Sequence, residues 1–432
     1  MKMIQISWIE SNIPQLSTDD WTFNGASTRE LTHCYHDYPA RMIPQVAGKL
    51  LDLFAPSGKL LFDPYCGSGT SLVEANIRGI HAVGTDLNPL ARLIAQAKTA
   101  RPDLEILNFE IEKFKRGVMD NLKKKWLIRE GETIEGISNL EFWFKPEVIQ
   151  KLLLIKAFIR QIDDKDTALF FKVAFSETVR ESSNTRNNEF KLYRYDEKKL
   201  ASHKPDVEGI MLEKLQRNLR GYNQYKAILD NLKYPPSTKV YGFNSVNEIP
   251  EDYLLPNSVD IVVTSPPYGD SGTTVAYGQY SRLSAAWLGL EEPHKIDRKL
   301  MGGQSLREIP LFPSNLLNQA ILQIQQKDEK RARQVAAFYK DLLLSITHVA
   351  QTIRKGGYAC YVVGNRKVKG VILPTDIAIR NFFEENGFVH VHTYMRQIPN
   401  KRMPSKNSPS NRAGKLDDTM TREYIVVMKR PL

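Results

Sequence analysis

The chain is predicted to fold as an α/β protein, a doubly wound sheet interrupted by a mostly helical segment. Three observations carry this expectation. Strand-length apolar runs alternate with helical spacing from Lys59 to Lys98, the alternation lapses over residues 101 to 236, and it resumes from residue 238.

The first stretch reads "KLLFDPYCGSGTSLVEANIRGIHAVGTDLNPLARLIAQAKT". Its "LLF" is a strand, and the Gly-rich turn that follows opens a helix from about Thr70 to Arg78, stopped by Gly79. The second strand, "HAVGTD", ends in Asp86. Asn88 then caps the next helix, with Pro89 at its first position. Within the middle segment, "PEVIQKLLLIKAFIRQI" and "DTALFFKVAFSETVRE" have helical apolar spacing and are expected to pack together. "SSNTRNNEFKLYRYDEKK" is instead basic, short of aliphatic residues and interleaved with Phe190, Tyr193 and Tyr195. A segment of this length is too long for a crossover and reads as an insertion. From 238 onward come strands "TKVYG" and "VDIVVTS", a long helix "ARQVAAFYKDLLLSITHVAQTIRKG", strand "YACYVVGN", helix "PTDIAIRNFFEENGF", and strands "VHVHTYMR" and "REYIVVMKR". "NKRMPSKNSPSNRAGK" reads as an exposed basic loop.

With 42% hydrophobic and 25% charged residues in 432, disorder is not the default and a large core is affordable. The balance of 60 Lys and Arg against 49 Asp and Glu, a formal +11, suits a polyanionic partner without requiring one. Cys34, Cys66 and Cys360 form no C-x-x-C pair, so neither a metal site nor a disulfide framework is expected and the compartment reads as reducing. "MKMIQISWIESNIPQ" has no long apolar region, and nothing approaches the roughly 18 apolar residues of a membrane span. A soluble, cytoplasmic protein is expected.

"DPYCGSGT", residues 63 to 70, lets Gly67 and Gly69 bring backbone close to a ligand at a strand's carboxyl end. Several ligands suit such a turn, as does no ligand at all. A phosphate-binding P-loop needs a lysine that is absent, and a dinucleotide fingerprint needs a third glycine where Leu72 stands. Asp86 is placed to accept hydrogen bonds from a ribose diol, although a helix cap would also use a carboxylate there. "TSPPYGD" ends a strand expected beside the first. Its two prolines stiffen the corner, Ser265 and the Pro266 carbonyl can accept from an exocyclic amino group, and Tyr268 offers a face for a flat base. A plain Pro-Pro turn is the structural alternative.

The pairing of "FDPYCGSGT" with "TSPPY" resembles the S-adenosylmethionine-dependent DNA amino-methyltransferases, which modify cytosine N4 or adenine N6. The resemblance extends to "HDYPARMIPQVAGKLL" and covers about residues 33 to 100 and 238 to 430. It implies a Rossmann-like class I methyltransferase sheet in two halves, residues 1–100 and 237–432, around an inserted target-recognition region, 101–236. It also implies a cofactor site of Tyr38, Arg41, Asp63, Tyr65, Cys66, Gly67, Ser68, Gly69, Thr70, Asp86, Leu87 and Asn88, with Asn244 near the adenine. Ser265, Pro266, Pro267 and Tyr268 become the catalytic corner. The motif order matches members whose recognition region lies between the two motifs. Arg180, Arg186, Lys191 and Arg194 then become candidates for phosphates or guanine edges, and Asn184, Asn187 and Asn188 for adenine.

Serine at the first position of the corner leans toward cytosine N4 within that family. Direct attack by the amine needs no covalent intermediate, so no nucleophilic cysteine is required, and the absence of a Pro-Cys pair argues against cytosine-C5 chemistry. The target base must leave the duplex. The expected partner is double-stranded DNA, with a cognate restriction endonuclease as a further one. Adenine N6 methylation, an RNA amino-methyltransferase and a non-catalytic DNA-binding protein are the rival readings. "GQYSRLSAAWLGL" resembles a helix that walls the pocket in some members, with Tyr280, Arg282 and Trp287 as its large side chains, Trp287 reading as core. His33 and His36 read as structural.

Overall fold

The main sheet has seven strands. They are β1 (Leu60–Asp63), β2 (His81–Thr85), β3 (Thr238–Tyr241), β4 (Val259–Thr264), β5 (Ile353–Val363), β6 (Val389–Gln397) and β7 (Arg422–Lys429). The computed structural model describes residues 21–119, 134–186, 191–269, 276–291, 296–398, 406–407, 417–418 and 421–432. Asn187, Asn188, Phe190 and most of the basic stretch 400–415 lie outside them. The spatial order is β3-β2-β1-β4-β5-β7-β6. β3, β2, β1, β4 and β5 run parallel to one another, and β7 runs antiparallel to both β5 and β6. From β1 the chain winds outward through β2 to β3, and from β4 it winds the other way. The carboxyl ends of β1 and β4 therefore flank a topological switch point, where open α/β sheets bind ligands.

Alternation along the central strands explains the helices on both faces. Leu61, Ile261 and Val263 pack in one core with helices Pro44–Phe54 and Thr70–Asn76, while Phe62 and Val262 pack in another with Glu329–Thr352 and Thr375–Glu385. Strands buried on both faces read as continuous apolar runs, as "DIVVT" does.

Two local readings need correcting. The long helix ends at Thr352, because Ile353 already pairs with Val259, so "IRKGG" opens β5 instead of closing the helix. Gly356, at φ +74°, supplies the left-handed residue within that irregular start. Helix Asn315–Gln325 was not expected, yet its Leu317, Ala320, Ile321 and Ile324 keep helical spacing and are buried.

Residues 101–236 contain helices Leu104–Met119, Pro146–Ile159, Lys165–Ser182 and Val207–Asp230. The second and third of these meet through Phe158 and Phe171, with ring centroids 5.7 Å apart. Their core is continuous with Leu90, Leu93 and Ile94 of helix Pro89–Thr99 and with Trp287, so this segment is not a lobe with a core of its own. Among the described residues no helix is long and apolar enough to cross a membrane.

Candidate active site

Asp63 closes β1 and is buried. Its carboxylate accepts from Tyr65 N–H at 3.1 Å, Thr264 Oγ1 at 2.5 Å and Ser71 Oγ. Burial dominates over these bonds and pushes its pKa from 3.8 up to about 6. The loop that follows turns on Gly67 (φ +50°) and Gly69 (φ +78°), which is the N-cap of helix Thr70–Asn76. The two glycines serve different needs. A Cβ on Gly69 would sit 2.9 Å from Ala95 Cβ, whereas one on Gly67 would meet nothing within 4 Å. Gly69 thus permits close packing, and Gly67 leaves open space beside the backbone.

Asp86 follows β2 and braces this loop. Its Oδ2 accepts from Gly67 N–H at 3.0 Å and its Oδ1 from Asn88 N–H at 2.7 Å. Desolvation raises its pKa, partly offset by those two N–H groups and by Arg92. A carboxylate offers about four lone-pair positions, so two remain for a ligand's hydroxyl groups.

These groups line one cleft at the switch point, together with Ser265 and Pro267 from the corner after β4. The sequence-predicted Tyr38, Arg41, Tyr65, Cys66, Ser68, Thr70, Leu87, Asn88 and Asn244 line it too. Gly69, Pro266 and Tyr268 do not. Pro266 is buried, and Tyr268 instead borders a smaller recess with Phe338, Tyr339 and Arg366. The Tyr268 hydroxyl lies between Ser265 Oγ at 3.2 Å and Glu423 Oε1 at 2.9 Å.

Several of these side chains are committed within the protein. Asn88 caps its helix by accepting from Leu90 N–H at 3.1 Å, and its amide donates to Tyr38 Oη at 2.9 Å and Ser281 Oγ at 2.7 Å. Arg41 donates to the carbonyls of His33 and His36 at 3.0 and 2.8 Å. Asn244 Oδ1 takes Val246 N–H at 3.0 Å, and Tyr65 Oη meets Ser345 Oγ. Burial pushes the Cys66 thiol well up, which leaves it no thiolate for nucleophilic chemistry.

The sequence reading missed part of the wall. Tyr277, one residue ahead of the quoted "GQYSRLSAAWLGL", lines the cleft and stacks on Tyr38 with centroids 6.0 Å apart. Phe243 and Met301 line it too. Tyr280 instead donates to Asp37 O at 2.6 Å, Arg282 is half-buried, and Trp287 is core as expected. Lys98, fully buried, reaches Ser68 Oγ at 3.5 Å, and burial holds its pKa far below the usual range. His33 Nε2 lies 2.9 Å from Glu74 Oε1, with both side chains buried. His36 is buried, neither ring nitrogen has a hydrogen-bond partner among the described residues, and burial keeps it neutral.

Two of the proposed DNA contacts point inward. Arg180 is 7% exposed with its guanidinium 3.9 Å over the Tyr280 ring, and Asn184 is 3% exposed and donates to Phe142 O at 3.2 Å. Both were expected as DNA contacts from the recognition region that the motif order implies and from the polar composition around them, neither of which distinguishes a helix's buried face from an exposed loop. Arg186 and Lys191 are exposed, and Arg194 pairs with Glu197 at 2.8 Å while lying over the Phe142 ring.

No family model matches the chain. It is 34% identical over 110 residues to the type II methyltransferase M.MjaII of Methanocaldococcus jannaschii, 24% of this chain and 19% of that one. It is 21% identical to the type II methyltransferase M.BsoBI of Geobacillus stearothermophilus over 94% of this chain and 87% of that one. It is also 42% identical to the type II methyltransferase M.MvaI of Kocuria varians, over 94% of this chain and 93% of the relative. Identity at that level along nearly the whole of both chains, over a cleft that joins a Gly-rich loop to a Ser-Pro-Pro corner, means that this chain belongs to the type II methyltransferase family.

Proposed function

We propose that the chain transfers a methyl group from S-adenosylmethionine to the exocyclic N4 of a cytosine flipped out of duplex DNA, in a restriction-modification setting with a cognate endonuclease. The observation that carries this reading is the meeting of Ser265 and Pro267 with Gly67 and Asp86 in one cleft. The methyl donor fits the residues present. Gly67 leaves space for its methionine part, Asp86 has acceptor capacity for a ribose diol, and Phe243 gives an aromatic wall near Asn244 for an adenine. Bound there, the sulfonium supplies an electrophilic methyl group. Ser265, which lines the cleft, holds the amine so that its lone pair faces that methyl, and rigid placement accounts for most of the rate. Serine in the corner favours cytosine N4, by the association within the resembling family. Residues 101–236 are the target-recognition region in this reading, with Arg186, Lys191 and Arg194 at its polyanion-facing surface, and Asn187 and Asn188 beside them in sequence. The formal +11 supports a grip on phosphates.

The test is methylation of mixed-sequence DNA with labelled S-adenosylmethionine, followed by nucleoside mass analysis. N4-methylcytosine is expected. N6-methyladenine would overturn the choice of base, and label in RNA alone the choice of substrate. Donor binding without transfer would leave a non-catalytic DNA-binding protein.

A further inference from the structure

We propose that Glu423, on β7, is the terminal proton acceptor of a relay that leaves the cleft through Ser265 and Tyr268. The inference rests on the methyl-transfer reading above and adds to it a group 155 residues from Tyr268 that belongs to neither motif. Ser265 Oγ lies 3.2 Å from Tyr268 Oη, and Tyr268 Oη lies 2.9 Å from Glu423 Oε1. Glu423 Oε2 accepts from Arg396 Nη1 at 2.7 Å, and Arg396 is itself buried, so the carboxylate is fixed in orientation.

An ionised carboxylate only accepts, and this sets the direction of the whole chain. Tyr268 must donate to Glu423, and Ser265 must donate to Tyr268. The remaining lone pairs of Ser265 are then free for the cleft that Ser265 lines. They can receive an N–H from an amine, and each bond in such a chain strengthens the next. Burial and the neighbouring carboxylate hold the Tyr268 phenol well above its ordinary pKa, so it keeps its proton between turnovers.

The reaction requires such an outlet. As the exocyclic nitrogen forms its bond to the methyl carbon, the sulfur–carbon bond breaks and sulfur keeps the electron pair. The nitrogen is left positively charged with a surplus proton. That proton passes to Ser265 Oγ, the serine proton to Tyr268 Oη, and the tyrosine proton to Glu423 Oε1. The methylated base is then neutral and Glu423 is protonated. Its side chain is 15% exposed, which gives the proton a way out to water. Tyr268 acts in this account through its hydroxyl, in addition to any stacking by its ring. Glu423 acts through Tyr268 and touches no substrate.

The experiment is single-turnover methyl transfer by the full-length protein, with S-adenosylmethionine and mixed-sequence DNA, in H2O and D2O. Wild type is compared with Glu423→Gln and Tyr268→Phe. The first variant keeps an acceptor for Tyr268 but takes up no proton. The second removes the central link and leaves the Glu423–Arg396 pair intact. Both should slow the chemical step by about 100-fold, the lower range for proton-transfer catalysis, with donor and DNA Kd within about twofold. The solvent isotope effect of the wild type should disappear in both. A Glu423→Gln variant at wild-type rate would overturn the relay, and so would slow variants that retain the full isotope effect, since that marks a purely structural role. If Glu423→Gln does not fold, Tyr268→Phe decides alone by the same criteria. A wild type that methylates no nucleic acid overturns the underlying methyl-transfer reading, whereas an active wild type with an unaffected Tyr268→Phe overturns only the relay.

Discussion

Thr264 Oγ1 donates to Asp63 Oδ1 across 2.5 Å and so ties the end of β4 to the end of β1. These two ends carry the Ser-Pro-Pro corner and the Gly-rich loop, and their strands pair through Leu61 with Ile261 and Phe62 with Val262. Asp63 also holds Tyr65 N–H and Ser71 Oγ, so one buried carboxylate sets the loop, its helix and the corner against each other. A 1 Å misplacement between donor and acceptor groups can cost about 100-fold in rate, which gives this bracing a function beyond stability.

The same carboxylate makes folding stability depend on pH. Its pKa is raised from 3.8 to about 6 in the folded protein, so between these values the folded state binds more protons than the unfolded state. Stability from this group is therefore full below about pH 4 and is lost as pH rises through 6, by about 3 kcal/mol in all. Asp63→Asn removes the titration. In urea unfolding of the donor-free protein, wild-type stability minus that of Asp63→Asn should fall by about this amount from pH 4 to pH 7. A flat difference would show that Asp63 does not titrate there.

Gly67→Ala and Gly69→Ala should fail in different ways. At Gly69 the added methyl meets Ala95 at 2.9 Å and φ is +78°, so a loss of about 1–3 kcal/mol in thermal or urea unfolding is expected. At Gly67 the methyl meets no protein atom, and only the cost of a left-handed alanine, about 1 kcal/mol, falls on the fold. Its main effect should be weaker S-adenosylmethionine binding in calorimetry.

Much of this arrangement was legible because strands buried on both faces leave long apolar runs and because glycine, proline and acidic residues mark their ends. "LLFDPYCGSGT", "HAVGTD" and "DIVVTSPPY" all delivered residues to one cleft. What was not legible depends on contacts far apart in sequence. Tyr277 joins the wall through Tyr38, and Glu423 reaches Tyr268 from the last strand, neither with any local signal. Arg180 is the opposite case. Beside a basic stretch it reads as a nucleic-acid contact, but the helix turns it onto Tyr280.

Asp86→Ala should act chiefly on donor binding. The carboxylate both braces Gly67 and Asn88 and presents its remaining acceptor positions to the cleft. Loss of charge-assisted hydrogen bonds worth about 1.5–3 kcal/mol predicts roughly a 10- to 150-fold rise in Kd by calorimetry. Unchanged affinity would remove the ribose role.

Ser265→Ala should show the reverse pattern. Ser265 lines the cleft, and among the described residues its hydroxyl donates to Tyr268 and not to the Gly-rich loop, so the donor site stays intact. A fall in kcat of about 100-fold or more is expected, with S-adenosylmethionine Kd within about twofold, measured by steady-state methylation and calorimetry. Equal losses in both would place Ser265 at the donor instead of the base.

The surface of residues 101–236 gives a prediction that separates binding from folding. Arg186 and Lys191 are exposed, so each change to alanine should weaken DNA binding at every sequence and reduce the slope of log K against log salt by about 1. Arg180→Ala and Asn184→Ala should leave that slope unchanged. Arg180 loses a cation–π contact at 3.9 Å and a buried packing role, and Asn184 a hydrogen bond to Phe142 O, so each should cost about 1–2 kcal/mol of stability. Fluorescence anisotropy on mixed-sequence DNA across salt, with thermal unfolding of the same four variants, distinguishes the two groups. An altered salt slope in Arg180→Ala would mean that this arginine leaves Tyr280 when DNA binds.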